Sequence, residues 1–250
     1  MDFRLPYRSE PVVGPGPDSS LPEAKPKGLS GRVLHAAVER ALRIQQPAVA
    51  AHITRVRRNK PDATPAEVIA GLDKQYLITV GGLGAASGGT AFVPGVGTGV
   101  ALATGAAEAI AALDASVLYT LAVAEVHGLR IEDVDRRRAL VLAIVLGEGG
   151  AKLMQKVTGG ARPWANELVD ALPVPKLGPI NQTLMRWFFK RYLARQGALA
   201  FGRALPLGVG AVIGAVGNLA VARSVIRSSE RAFGPPPCSW PDPDPVSPEQ

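Results

Sequence analysis

Two apolar stretches interrupt an otherwise charge-studded chain. No Asp, Glu, Lys or Arg occurs between Lys74 and Glu108, and a second uncharged run extends from Ala204 to Ala222. The first is broken by Phe92-Val93-Pro94-Gly95-Val96-Gly97-Thr98-Gly99, and the second opens with Leu205-Pro206-Leu207-Gly208-Val209-Gly210. Pro ends one helix and suits the first turn of the next, while Gly lets two backbones approach closely. The pattern predicts two apolar helical hairpins, built for tight helix contact or for contact with lipid.

Helical periodicity continues on either side. Val33, Ala36, Ala37, Arg40 and Ala41 mark one face of a helix near 30–46, stopped by Pro47, and a second helix covers about 48–58. Its last turn is rich in Arg55, Arg57, Arg58 and Lys60, which suits the partial negative charge of a helix C-terminus. Thr64-Pro65-Ala66-Glu67 carries the strongest start signal: a capping Thr, Pro at the first position and Glu at the third. An Ala-rich helix from about Thr98 to His127 is closed by Gly128, and Asp133 and Asp135 open the helix after it, which ends near Gly147. Shorter helices are predicted at 149–157 and 163–171. Pro173, Pro175 and Pro179 read as a linker, followed by long helices over 180–203 and 207–232. No segment offers the alternation and turn pairs of a sheet. The expected fold is all-α, a helical bundle of residues 29–234 containing both hairpins. Residues 1–28 and 235–250 hold six and seven of the 22 prolines and are expected to be disordered tails.

Composition narrows the function classes. The chain is 47% hydrophobic, 20% charged and carries a formal charge of +7. Setting aside the balanced first 28 residues and the three acids of the last 16 leaves about +10 on the body. Anionic lipid and nucleic acid are the partners such a balance permits. Nucleic acid is the weaker choice, because no helix-turn-helix, zinc finger or stacking sheet accompanies the cations. Cys238 is the sole cysteine, which excludes an intrachain disulfide framework. The start, Met1-Asp2-Phe3-Arg4-Leu5-Pro6, does not read as a secretory signal.

The candidate surface is basic. Arg223, Arg227 and Arg231 recur every fourth residue directly after the second apolar run, so they line one helix face. Arg186-Trp187-Phe188-Phe189-Lys190-Arg191-Tyr192 interleaves cations with aromatics, a combination suited to the boundary between water and lipid. The pairs Gly84 and Gly88, Gly95 and Gly99, and Gly210 and Gly214 put small residues on one face for close helix packing. Several glycines in one helix, at ~1 kcal/mol each relative to Ala, require a packing reason.

Catalytic signals are poor. His35, His52 and His127 are scattered without ligand spacing. The Gly-rich stretches from Gly82 and Gly208 lack the spacing of a dinucleotide loop, and neither a phosphate loop nor a nucleophile elbow occurs. Glu108 and Glu125 are separated by about 26 Å of helix rise, and Glu108 and Asp114 by about 120° around the axis. They form no carboxylate pair. Each is expected instead to meet a structural partner, Glu108 for instance an Arg from another helix. Neither metal nor cofactor is expected.

Val93-Pro94-Gly95-Val96-Gly97-Thr98 with its Ala-rich helix, then Val126-His127-Gly128-Leu129-Arg130-Ile131-Glu132-Asp133, resembles the EcsC family. The stretch Gly202-Arg203-Ala204-Leu205-Pro206 through Gly214, with Asn218, looks like that family's second Gly-rich hairpin. Ala232-Phe233-Gly234-Pro235-Pro236-Pro237 is most similar to actinobacterial members, and the similarity covers roughly residues 65–237. The resemblance implies a loose link to membranes and a locus beside an ABC transporter, with no active-site residue to carry over. Residues and resemblance together lead to one expectation. It is a non-enzymatic protein of the bacterial cytoplasmic membrane face, peripheral or partly inserted, bound to anionic lipid or to a membrane protein such as an ABC transporter. The alternatives are a soluble cytoplasmic interaction module and, more remotely, a hydrolase.

Overall fold

The computed structural model describes residues 36, 40–41, 46–89, 98–160, 163–202 and 209–241. Its helices are α1 (Gln46–Asn59), α2 (Pro65–Gly89), α3 (Thr98–Val126), α4 (Val134–Val145), α5 (Glu148–Val157), α6 (Ala165–Asp170), α7 (Val174–Gly202) and α8 (Val209–Phe233). The fold is all-α, with no strand among the described residues.

Local chemistry sets the helix ends. At α2 the Thr64 amide donates to Glu67 Oε2 at 2.8 Å and the Glu67 amide returns a bond to Thr64 Oγ1 at 3.3 Å. Two otherwise orphaned N–H groups are thereby satisfied reciprocally. The Asp133 carboxylate caps α4 by accepting from the Arg136 amide at 2.8 Å. Gly128 leaves α3 at φ 74°, a backbone conformation that costs Gly nothing.

The most enclosed element is α4. Every residue from Ala139 to Ile144 is at most 1% exposed, because α3, α5, α6, α7 and α8 all pack around it. A stretch apolar on all sides, as that from Ala139 to Ile144 is, is stable only in such a position. Helix α4 meets α5 at one very close approach. A Cβ on Gly150 would fall 2.7 Å from the Ala143 Cα, so only Gly permits that approach.

The longest packing seam joins α2 to α8. Val80 and Gly81 lie against Asn218 and Leu219, while Tyr119 of α3 meets both Asp73 of α2 and the Ser229 neighbourhood of α8. Helix α8 therefore runs antiparallel to α2 and parallel to α3.

Two expectations are corrected. Pro173, Pro175 and Pro179 form no linker, since α7 begins at Val174 and contains Pro179. Pro175 occupies the first turn, where its missing N–H serves no bond, and Pro179 frees only the exposed Pro175 carbonyl. The described parts of α7 and α8 share few contacts. Helix α7 lies on α4 and α8 lies on α2. The Pro-Gly turns at 90–97 and 203–208, including Gly95, lie outside the described residues. Second, the tail from Pro235 is placed against the body as far as Pro241. Trp240 donates its indole N–H to the Ala63 carbonyl at 3.0 Å, and the Arg57 guanidinium sits 4.3 Å above its ring. One Trp supplies the apolar area and the single hydrogen bond that the prolines around it lack.

Candidate functional site

On α8 the residues facing inward are Asn218, Ala222, Val225, Ser228, Ser229 and Ala232, all buried. The outward face begins with Val216, 61% exposed, with Gly217 and Ala220, and continues with Arg223, Arg227 and Arg231. Fourfold spacing keeps the three cations on one stripe, so the outward face passes from apolar to basic within two turns. The antiparallel α2 repeats the apolar part at the same end. Ile78 is 65% exposed there, and Gly82 and Ala85 are exposed beside it.

Among the described residues no acid bonds Arg223 or Arg227. Arg231 lies near Glu148, whose carboxyl is held below its usual range chiefly by Lys152, at 2.8 Å, with Arg231 adding to the effect.

The aromatic-basic segment of α7 divides in two. Arg186, Trp187 and Lys190 are exposed, Trp187 by 40%, while Phe188 packs against the core. Arg186 reaches only Thr183 of its own helix, at 3.3 Å. Arg191 also closes the C-terminus of α4, where its Nη1 donates to the Leu146 carbonyl at 3.1 Å. The adjoining Gly147 carbonyl accepts from Ser228 of α8 at 3.4 Å. Both basic segments therefore grip the same turn between α4 and α5.

Of the candidate packing glycines, Gly84 is buried within α2. Gly88, Gly99, Gly210 and Gly214 are helical, and their surroundings lie outside the described residues. Glu108 and Asp114 of α3 have separate partners, as their angular separation requires, whereas Glu125 Oε2 is buried without a hydrogen-bond partner among the described residues. Glu108 accepts from Asn218 Nδ2 at 2.6 Å, so its partner is an amide rather than the expected Arg. The same amide donates to the Val80 carbonyl at 3.2 Å and ties α2, α3 and α8 together. Asp114 pairs with Arg40 at 2.8 Å.

One constellation is not apparent from the linear chain. Tyr119 donates to Asp73 Oδ1 at 2.7 Å, Tyr76 and Ser116 are joined at 2.7 Å, and the two rings stack with centroids 4.6 Å apart. A faint signal exists: Asp73 and Tyr76, like Ser116 and Tyr119, are polar-tyrosine pairs three residues apart on facing helices. Burial raises the Asp73 carboxyl and pushes the Tyr76 phenol up to about 12. Burial, reinforced by Asp73, raises the Tyr119 phenol still further. Both phenols stay protonated and act as donors, which makes the cluster a structural lock rather than a nucleophile with its base. His127 stacks on Phe233 at 5.3 Å, and burial lowers its pKa. His35 lies outside the described residues, and His52 is exposed on α1. No group of three metal-ligating side chains occurs among the described residues.

Among the described residues one helix is long and apolar enough to cross a bilayer, at Ala107–Val126, and 56% of it is buried inside the body. No protein-family model, no curated protein and no solved structure matches the chain.

Proposed function

We propose that this is a non-enzymatic, membrane-associated helical protein that binds the anionic cytoplasmic face of a bacterial membrane, or a protein within it, through the outward face of α8. The observation that carries this reading is the passage from Val216, Gly217 and Ala220 to Arg223, Arg227 and Arg231 on one exposed stripe. Arg223 lies about 10 Å and Arg231 about 22 Å along the axis from Val216. With α8 lying in the interface all three cations reach headgroups, while Val216 and the neighbouring Ile78 dip below them. Each cation near an anionic surface contributes about 1 kcal/mol. Trp187, Arg186 and Lys190 extend the surface on α7. The resemblance of residues 65–237 to the EcsC family supports the same setting, with an ABC transporter as the membrane partner that family implies.

Flotation with vesicles of phosphatidylcholine, with and without one third phosphatidylserine, tests the proposal. Binding that requires the anionic lipid and is released by high salt is expected. Protein remaining wholly unbound at low salt would refute it. A second reading, a soluble interaction module, draws on the burial of more than half of Ala107–Val126 in the protein's own core. That reading expects a stable monomer without detergent and no vesicle binding.

A further inference from the structure

Helix α1 packs on α3 but stands away from α2. The gap holds two adjoining cavities of about 390 and 780 Å³ that share His52, Leu72 and Gln75 as walls. Small-molecule sites span about 300–1,000 Å³. The smaller cavity is apolar over Val49, Leu72, Ala115, Leu118 and Ala122, with the stacked Tyr76 and Tyr119 among its walls. Leu118 is 47% exposed although it lies in a concavity, so an apolar occupant would cover it. Among the described residues, the polar side chains lining this cavity besides the two tyrosines are His52, Gln75 and Thr79, which offer hydrogen-bond donors and acceptors but no carboxylate, guanidinium or ammonium. The larger cavity forms the mouth, where Lys60, Asp62 and Glu67 are exposed, one cation against two carboxylates. Glu67 is already committed to Thr64.

We infer that the cleft between α1 and α2 binds a single-chain amphiphile with an uncharged, hydroxyl-bearing head, of the monoacylglycerol class. Its chain lies over Leu72, Leu118 and Ala122. Its head meets His52 and Gln75, where the apolar cavity opens into the mixed-charge mouth. An anionic head would face Asp62 and Glu67, two acids against the single Lys60, and His52 and Gln75, which meet the head, supply no carboxylate for a cationic one. A neutral head escapes both.

Displacement of the apolar fluorophore N-phenyl-1-naphthylamine from the full chain tests this without vesicles, at concentrations below micelle formation. Monodecanoylglycerol is expected to displace the dye at least tenfold more effectively than decanoate. Two blocking variants keep the test independent of folding. Thr79→Phe intrudes on the apolar end, and Gly71→Phe on the mouth, where an added Cβ meets nothing within 4 Å. Both positions are exposed. Each variant is expected to weaken displacement at least tenfold with an unchanged thermal midpoint. The triple variant Arg223→Gln, Arg227→Gln, Arg231→Gln is expected to bind the amphiphile as the parent does, which separates this site from the membrane-facing stripe. Absence of dye binding, equal displacement by decanoate, or unchanged displacement in both folded blocking variants would each overturn the inference.

Discussion

Helices α4 and α8 each carry three arginines, and the two sets behave oppositely. On α4 they are consecutive, so successive side chains leave the helix about 100° apart and meet three different neighbours. Arg136 donates to the Leu172 carbonyl at 3.2 Å, Arg137 to the Ile131 carbonyl at 2.8 Å, and Arg138 pairs with Asp135 at 3.3 Å. Arg137 is buried. On α8 the spacing is four, so Arg223, Arg227 and Arg231 share one exposed face. The same residue type thus closes the interior in one helix and charges the surface in the other. Spacing, more than composition, decides which.

The sharpest test of that contrast is in the interior. Leu140→Ala, at a position with no exposure, is expected to lower the unfolding free energy by about 2–5 kcal/mol in a urea titration. A loss below about 1 kcal/mol would show that α4 is not the centre of the core. On the surface, replacing Arg223, Arg227 and Arg231 together by Gln is expected to cost about 3 kcal/mol of vesicle binding, roughly a hundredfold, with stability nearly unchanged. Equal vesicle binding by this variant and the parent would remove the functional half of the comparison. Arg137→Met reverses the pattern. It removes the Arg137 bonds to the Ile131 carbonyl and is expected to cost about 1–3 kcal/mol of stability while leaving vesicle binding alone. Asp133→Ala, which removes the α4 cap, is expected to cost about 1 kcal/mol.

The smallest effect is a pH dependence at the joint between α3 and α8. Burial depresses the His127 pKa, so the unfolded chain binds the proton more readily than the folded one. This site's contribution is fully present above the unfolded value of about 6.5 and is lost as pH falls from there toward the folded value. His127→Phe is expected to flatten the acid limb of a thermal-midpoint profile between pH 7 and 5. A limb that stays as steep would place the titrating group elsewhere.

Much of this organisation is written in short-range chemistry. The Thr64-Glu67 box, the Asp133 cap and the Gly128 stop act over three or four residues, and all are readable along the chain. The all-α class follows from the same periodicity. Pairings between distant segments are not legible in that way. Nothing local states that the helix after the second Pro-Gly turn lies on α2, since Gly and Ala faces fit many partners alike. Pro179 reads as a breaker because its tolerance depends on an exposed carbonyl four residues earlier. Trp240 is hidden among prolines, and its dock against Ala63 exists only once α1 and α2 are placed. For the site, the fourfold Arg stripe is legible. The apolar-to-basic passage on α8 needs the knowledge of which face α2 covers.

The seam between α2 and α8 also has a temporal side. About 120 residues separate the end of α2 from the start of α8. A ribosome adding roughly 5–20 residues per second takes about 6–24 s to supply that partner. Throughout that interval the face of α2 around Val80 emerges without the helix that will cover it. The nascent chain is accordingly most open to chaperones, or to an early encounter with a bilayer, in the window before its last helix is made.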